Sequence, residues 1–133
     1  MKKLFYLFAL VSAIVMSSCS SGSKLEFQVA AANKQCPMSQ GPGLTISKIC
    51  TEANNVVYVC DVDEYQANLS VEEMNTPEAM SVMKPAMIQS LTADPETQEL
   101  IELVKDANYN LVYRFVGSPS NAQVDIVIYP HEL

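Results

Sequence analysis

The fold is decided near the carboxyl end of the chain, by the stretch YNLVYRFVGSPSNAQVDIVI at residues 109–128. In its first half the large apolar residues Tyr109, Leu111, Tyr113 and Phe115 stand at every second position. A second alternation follows over residues 123–128. A period of two is typical of strands with one buried face, and the small and polar residues 117–121 between the halves favour a turn. We therefore predict an antiparallel hairpin here.

A second hairpin is predicted upstream, from the apolar runs at residues 44–50 and 56–62 and the polar loop 51–55 between them. In the later run both alternating sets of side chains are largely apolar, which is typical of an interior strand. Residues 40–43 (QGPG) predict a turn just before this hairpin.

The remaining periodicity is helical. Residues 24–35 predict an opening helix, and a capping box at Ser70 and a Thr76-Pro77 start predict helical structure after the first hairpin. A second central helix is expected from Asp94 to about Ala107, with Asn108 as its cap. The expected fold is α+β, with an antiparallel sheet of about four strands in two hairpins. Two central helices and the N-terminal helix are expected to pack on one face of that sheet.

The amino-terminal segment has a different character. Residues 1–18 have two lysines, an apolar run of about thirteen residues and small residues at the end, which is the pattern of a secretory signal peptide. The run is shorter than the roughly 20 residues of a membrane-spanning helix. We therefore expect removal of residues 1–18, a tether at residues 19–23 and a single domain at residues 24–133.

Met16-Ser17-Ser18-Cys19 resembles the lipobox of bacterial lipoproteins, whose cysteine receives a diacylglyceryl group before cleavage. The resemblance implies lipidation of Cys19 and anchoring in a membrane through acyl chains. Ser20 is not the Asp that marks inner-membrane retention in some lipoproteins. An outer-membrane location is therefore favoured, with the domain facing either the periplasm or the cell surface.

The charge balance excludes one class of partner. Residues 19–133 contain six of the eight basic side chains and all 15 acidic ones, so their net charge is about −9. Such a surface repels nucleic acid. No cofactor is expected, because no nucleotide or metal motif is present.

Three cysteines remain besides Cys19: Cys36, Cys50 and Cys60. Thiols outside the cytoplasm tend to pair, so we expect one disulfide between Cys36 and either Cys50 or Cys60. With His131 the three could form a zinc site by residue type, but the close Cys-x2-Cys spacing of such sites is absent. A cysteine nucleophile with His131 as base lacks an orienting partner, and so we expect no catalysis.

Met80, Met83 and Met87 fall on one face of a predicted helix. They suit core packing, since methionine fills irregular gaps. The alternative is an apolar groove for a lipid or peptide beside a kink at Pro85.

The domain also resembles a group of small exported bacterial proteins of unknown function. The resemblance rests on the opening at residues 33–37, an apolar strand with Tyr58, Met83-Lys84-Pro85 in a helix and the terminal tyrosine-rich hairpin. It implies no activity. We therefore expect a non-catalytic envelope module that binds a protein, glycan or lipid partner, the alternatives being a small extracytoplasmic enzyme or an apolar-ligand binding protein.

Overall fold

A computed structural model describes residues 21–133, in which helices and strands follow the order helix, three strands, four helices, two strands. Short 3-10 turns at Pro95–Thr97 and Pro130–Glu132 precede the last helix and follow the last strand. The elements are α1 (Ser21–Asn33), β1 (Met38–Gly41), β2 (Leu44–Glu52), β3 (Asn55–Asp63), α2 (Glu64–Ala67), α3 (Val71–Met74), α4 (Pro77–Ala93), α5 (Gln98–Ala107), β4 (Asn110–Ser118) and β5 (Gln123–Ile128).

The strands form one sheet in the order β1-β2-β3-β4-β5. Both predicted hairpins are present, as the antiparallel pairs β2–β3 and β4–β5. The prediction of four antiparallel strands is wrong in two respects. The segment around the expected turn forms the additional strand β1, and β3 and β4 pair in parallel, from Asn55 opposite Asn110 to Asp63 opposite Ser118. The cause is that helices α2 to α5 carry the chain back to the end of the sheet where β3 began, as a crossover connection does.

The core lies between one face of the sheet and the helices, as predicted. Tyr58 and Tyr113 stack in its centre with ring centroids 5.2 Å apart, and both rings are fully buried. The helices contribute apolar side chains at helical spacing: Leu25 and Val29 from α1, Val71 from α3, Met87 and Leu91 from α4, and Leu100, Leu103 and Val104 from α5.

The helix starts follow the predicted capping chemistry. The Ser70 hydroxyl accepts a hydrogen bond from the backbone N–H of Glu73 at 3.3 Å, and Thr76 accepts one from Ala79 at 3.2 Å. Asn108 ends α5 in the left-handed conformation, with φ of 57°. Such caps satisfy backbone groups that a helix end leaves without intrahelical partners.

The first helix begins earlier than predicted. Residues 21–23, assigned to the tether, form the first turn of α1, which places Leu25, Val29 and Ala32 against the core. The predicted signal peptide, residues 1–18, and the predicted lipidation site Cys19 lie outside the described residues. Within residues 21–133, none of the helices has the length and apolar character that crossing a bilayer requires.

Candidate functional site

The face of the sheet opposite the core contributes none of its side chains to the cluster in which the helices pack. We call it the open face. Its side chains alternate with those of the core, because neighbouring strand residues point to opposite sides of a sheet. The strand registers assign to it Thr45, Lys48, Cys50 and Glu52 of β2, Val57, Val59 and Asp61 of β3, Val112, Arg114 and Val116 of β4, and Gln123, Asp125 and Val127 of β5.

An ion-pair network crosses the middle of the open face. Arg114 on β4 donates hydrogen bonds to Asp125 on β5 at 3.0 Å and to Glu52 on β2 at 3.1 Å. The hydrogen bonds that Arg114 donates to Asp125 and Glu52 raise the pKa of its guanidinium. Since β3 lies between β2 and β4, the bridge to Glu52 passes over the central strand. Exposed pairs of this kind contribute little stability individually, but they fix the side chains that form this surface.

The centre of the open face is apolar. Val57 and Val112 are only 1% and 4% exposed, although neither belongs to the helix-covered core. Val59, Val116 and Val127 are half-buried. Valine-rich strands with two apolar faces are typical of interior strands. The accessible apolar surface of the open face is therefore supplied by Val59, Val116 and Val127, and the Arg114 ion pairs lie beside it.

A cleft of about 720 Å³ occupies one end of the open face. Its walls are the turn between β1 and β2, the ends of β3 and β4, the first residues of α2 and the turn before β5. The only ionisable side chains in its lining are the carboxylates of Asp61 and Asp63. The remaining lining residues are Ser39, Gly41, Pro42, Gly43, Thr45, Val62, Gln66, Val116, Gly117, Ser118 and Asn121.

One wall of the cleft is held against the end of β3 by Gly43. The backbone N–H of Asp63 donates a hydrogen bond to the carbonyl of Gly43 at 2.8 Å. Gly43 has φ of +73°, and a Cβ there would lie 2.6 Å from the backbone nitrogen of Ala67 and 2.8 Å from the carbonyl oxygen of Asp63. Only glycine satisfies both the backbone angle and the close approach.

We expect Gly43→Ala to lower the free energy of unfolding by about 2 kcal/mol or more, since it adds backbone strain and a clash with main-chain atoms. Gly41→Ala is the matched control. Gly41 also has a positive φ, +137°, but an added Cβ would meet nothing within 4 Å. Urea denaturation of both variants measures the difference, and an equal loss in the two would show that the close approach is unimportant.

Glu64 holds the opposite wall together. Its carboxylate accepts hydrogen bonds from the backbone N–H of Val71 at 2.9 Å and of Ser120 at 3.0 Å. A Cβ on Gly117 would lie 2.9 Å from this carboxylate. The hydrogen bonds with Ser120 and Val71 lower the pKa of Glu64 below its ordinary value of 4.5. One side chain thus joins α2, α3 and the turn before β5.

This pKa shift predicts a pH dependence of stability. Because the folded-state pKa of Glu64 lies below the unfolded value, its stabilisation is fully present above about pH 4.5 and is lost as the pH falls through the folded-state pKa. We expect Glu64→Gln to be less stable than wild type at neutral pH. The difference in stability between the two proteins should become smaller as the pH is lowered. Thermal melts between about pH 2 and 7 measure it. Glu72→Gln, at an exposed carboxylate that forms no hydrogen bond among the described residues, is the control and should parallel the wild-type curve.

The structure corrects the disulfide prediction, since Cys36, Cys50 and Cys60 are all free thiols. Cys60 points into the core, where burial raises its pKa to about 12. Cys50 points to the open face on the other side of the sheet, which separates it from Cys36 and Cys60. Cys36 packs at the core margin below α1, donates a weak hydrogen bond to the carbonyl of Ala32 and has its pKa raised by burial.

The other candidate residues lie away from the cleft. The His131 ring stacks on Tyr129 with centroids 5.7 Å apart, and Lys84 pairs with Glu132 at 2.9 Å. Among residues 21–133, no three His, Cys, Asp or Glu side chains come together in a group that could hold a metal ion.

The three methionines pack on the core. Met87 is 4% exposed, and Met80 and Met83 are half-buried beside it. A smaller cleft of about 260 Å³ lies between α1 and β2. Neither of the two clefts is lined by the methionines, so the groove beside Pro85 stays a prediction. Sequence reasoning missed the larger cleft, for which the glycines flanking Pro42 and the spacing of Asp61 and Asp63 were the available signals.

Solved structures with the same fold come from exported and secretion proteins. A secreted protein of Pseudomonas aeruginosa is 12% identical, with a TM-score of 0.60, 87% of this chain covered and 98% of that one. EpsS, a type 2 secretion system pilotin of Vibrio vulnificus, is 13% identical, with a TM-score of 0.56 and coverage of 84% and 94%. AspS, a type II secretion system pilotin of Vibrio cholerae, is 14% identical, with a TM-score of 0.53 and coverage of 85% and 95%.

These likenesses establish the fold alone. A scan against models of protein families and a search of curated proteins both give no match.

Proposed function

We propose that this protein is a lipid-anchored, non-catalytic module of the bacterial outer membrane that binds an envelope protein through the open face of its sheet. The anchor is Cys19, and the signal peptide at residues 1–18 directs export. The folded domain binds the partner protein, and the lipid attaches the chain to the membrane. In this arrangement the domain needs no membrane-binding surface of its own.

The observation that carries the proposal is the open face itself. This sheet face has half-buried valines beside an ordered ion-pair network, so it offers a partner both apolar area and charged groups, which protein interfaces combine. The fold shared with two secretion-system pilotins supports a role in an envelope assembly. A glycan or lipid partner is not favoured, since the open face has no aromatic side chain for a sugar ring and no apolar tunnel for an acyl chain.

Catalysis is the less favoured alternative. The lining of the larger cleft contains neither histidine nor cysteine, and its polar side chains are two aspartates with hydroxyl and amide groups. General acid/base catalysis at neutral pH needs a group whose pKa is matched to the task. The side chains that line the cleft therefore suit binding of a partner better than catalysis.

Photo-crosslinking in intact cells tests the proposed surface. A photo-reactive amino acid replaces Lys48, which is exposed on the open face, or Gln89, which is exposed on α4 on the helical side. We expect one discrete protein adduct from position 48 and none of the same mass from position 89.

Adducts of the same mass from both positions would show that contact does not depend on the open face. Adducts from position 89 alone would place the interface on the helices. Either result would contradict the proposal.

A further inference from the structure

We propose that the larger cleft receives a lysine or arginine side chain of the partner polypeptide, so that the open face docks a basic protein segment. This inference rests on the proposed function, since it names the partner's chemistry at the same surface. In this arrangement Asp61 and Asp63 bind the charged end of the basic side chain, and the valines beside them contact the rest of the segment.

The charges of the cleft are unbalanced within the chain. Asp61 forms no ion pair and no hydrogen bond with any residue of the described chain. Asp63 accepts a hydrogen bond only from the backbone N–H of Gln66, at 3.1 Å, as the cap of α2. Of the two open-face cations, Arg114 is already held by Glu52 and Asp125, and Lys48 forms no ion pair with either aspartate. The cleft therefore presents two carboxylates with no cation of their own.

The cleft also suits the shape of a long basic side chain. Lysine and arginine bury an aliphatic stem along apolar surface while their charged ends reach polar groups. Val116 and Pro42 offer that apolar surface. Asp61 and Asp63 are separated by one residue, so their side chains lie on the same face of β3. The side chains of Thr45 and Ser118 add hydrogen-bonding groups.

The walls of the cleft are fixed before a ligand arrives. Gly43 is bonded to Asp63 on one side, and Glu64 joins Val71 and Ser120 on the other. A preformed site loses less conformational entropy on binding than one that must first order its loops. A charge-assisted contact in this cleft therefore contributes more of its free energy to binding.

Fluorescence anisotropy with a defined probe tests the inference. The full processed lipoprotein, purified in detergent, is titrated into a labelled ten-residue peptide of alternating Lys and Thr, and into a Glu and Thr counterpart. We expect binding of the basic peptide that weakens with added salt, and no binding of the acidic one.

Substitutions then locate the contact. Asp61→Asn together with Asp63→Asn removes two charges and keeps an α2 cap, because asparagine caps helices as well as aspartate does. Glu99→Gln with Glu102→Gln removes the same charge from exposed positions of α5. We expect the first pair to weaken binding about tenfold or more and the second pair less than about twofold, with both variants showing wild-type thermal melts.

Equal weakening by both pairs would show that net charge alone attracts the peptide, and would overturn the inference. Calcium binding at wild-type Asp61 and Asp63 without peptide binding would identify a cation site and would also overturn it. In either case an adduct at position 48 in cells would leave the proposed function standing, so the two failures are distinguishable.

Discussion

Cys19→Ala is expected to abolish labelling of the protein by a fatty-acid probe and to leave uncleaved or misprocessed precursor. Cys19 supplies the sulfur to which the resemblance to the lipobox assigns the diacylglyceryl group. Each buried methylene contributes about 0.8 kcal/mol, so several acyl chains hold a protein stably on a bilayer. Because the resemblance places lipidation before cleavage, the variant should keep residues 1–18.

Metabolic labelling measures the first effect, and gel electrophoresis, which separates precursor from mature protein by mass, measures the second. Cys36→Ala is the matched control, because it removes a cysteine from the folded domain and leaves Cys19 in place. The control should keep its label and the mass of the processed protein. Labelling of Cys19→Ala at the wild-type level would refute the lipoprotein assignment.

The second large effect is expected from Leu100→Ala. Leu100 is fully buried where α5 packs on the sheet. Truncation removes apolar contacts and leaves a cavity, which costs about 3 kcal/mol for a leucine in a tightly packed core. A domain of this size has a total stability of about 5–15 kcal/mol, so the variant should lose a large fraction of it.

Urea denaturation of Leu100→Ala and Val82→Ala makes the comparison. Both substitutions shorten an aliphatic side chain in a helix, but Val82 is 70% exposed on α4. We expect the control to change stability by less than about 0.5 kcal/mol. Similar losses in the two variants would mean that α5 is not packed as the structure describes.

Local sequence patterns predicted most of the fold. The alternation over residues 109–128 and the runs at 44–50 and 56–62 predicted both hairpins, because a half-buried strand imposes its own period on the sequence. The caps at Ser70, Thr76 and Asn108 are likewise local, and all three are confirmed.

The pairing of β3 with β4 could not be predicted in the same way. It joins residues separated by four helices, and nothing near Asn55 or Asn110 specifies that the two strands run parallel. Strand β1 is short and contains Gly41, so its sequence favours the predicted turn, and pairing with β2 overrides that preference. Both errors come from long-range contacts.

The site was harder still to predict. Asp61 and Thr45 meet only through strand pairing, and Asn121 approaches from a distant turn. The disulfide prediction failed because counting cysteines does not reveal their placement in three dimensions. Cys36 and Cys60 both pack on the helical side of the sheet and are free thiols. Cys50 and Cys60 lie on opposite faces, and this separation depends on the bulge in β2.

Alkylation of Cys50 tests most directly the claim that a partner covers the open face. Cys50 is half-buried on that face, while Cys36 is half-buried on the helical side and serves as the internal control. The two alkylation rates are measured by mass spectrometry on native membranes and on the purified protein in detergent. We expect Cys50 to react more slowly in native membranes than in detergent, while Cys36 reacts at the same rate in both. An unchanged rate at Cys50, or equal slowing of both thiols, would contradict it.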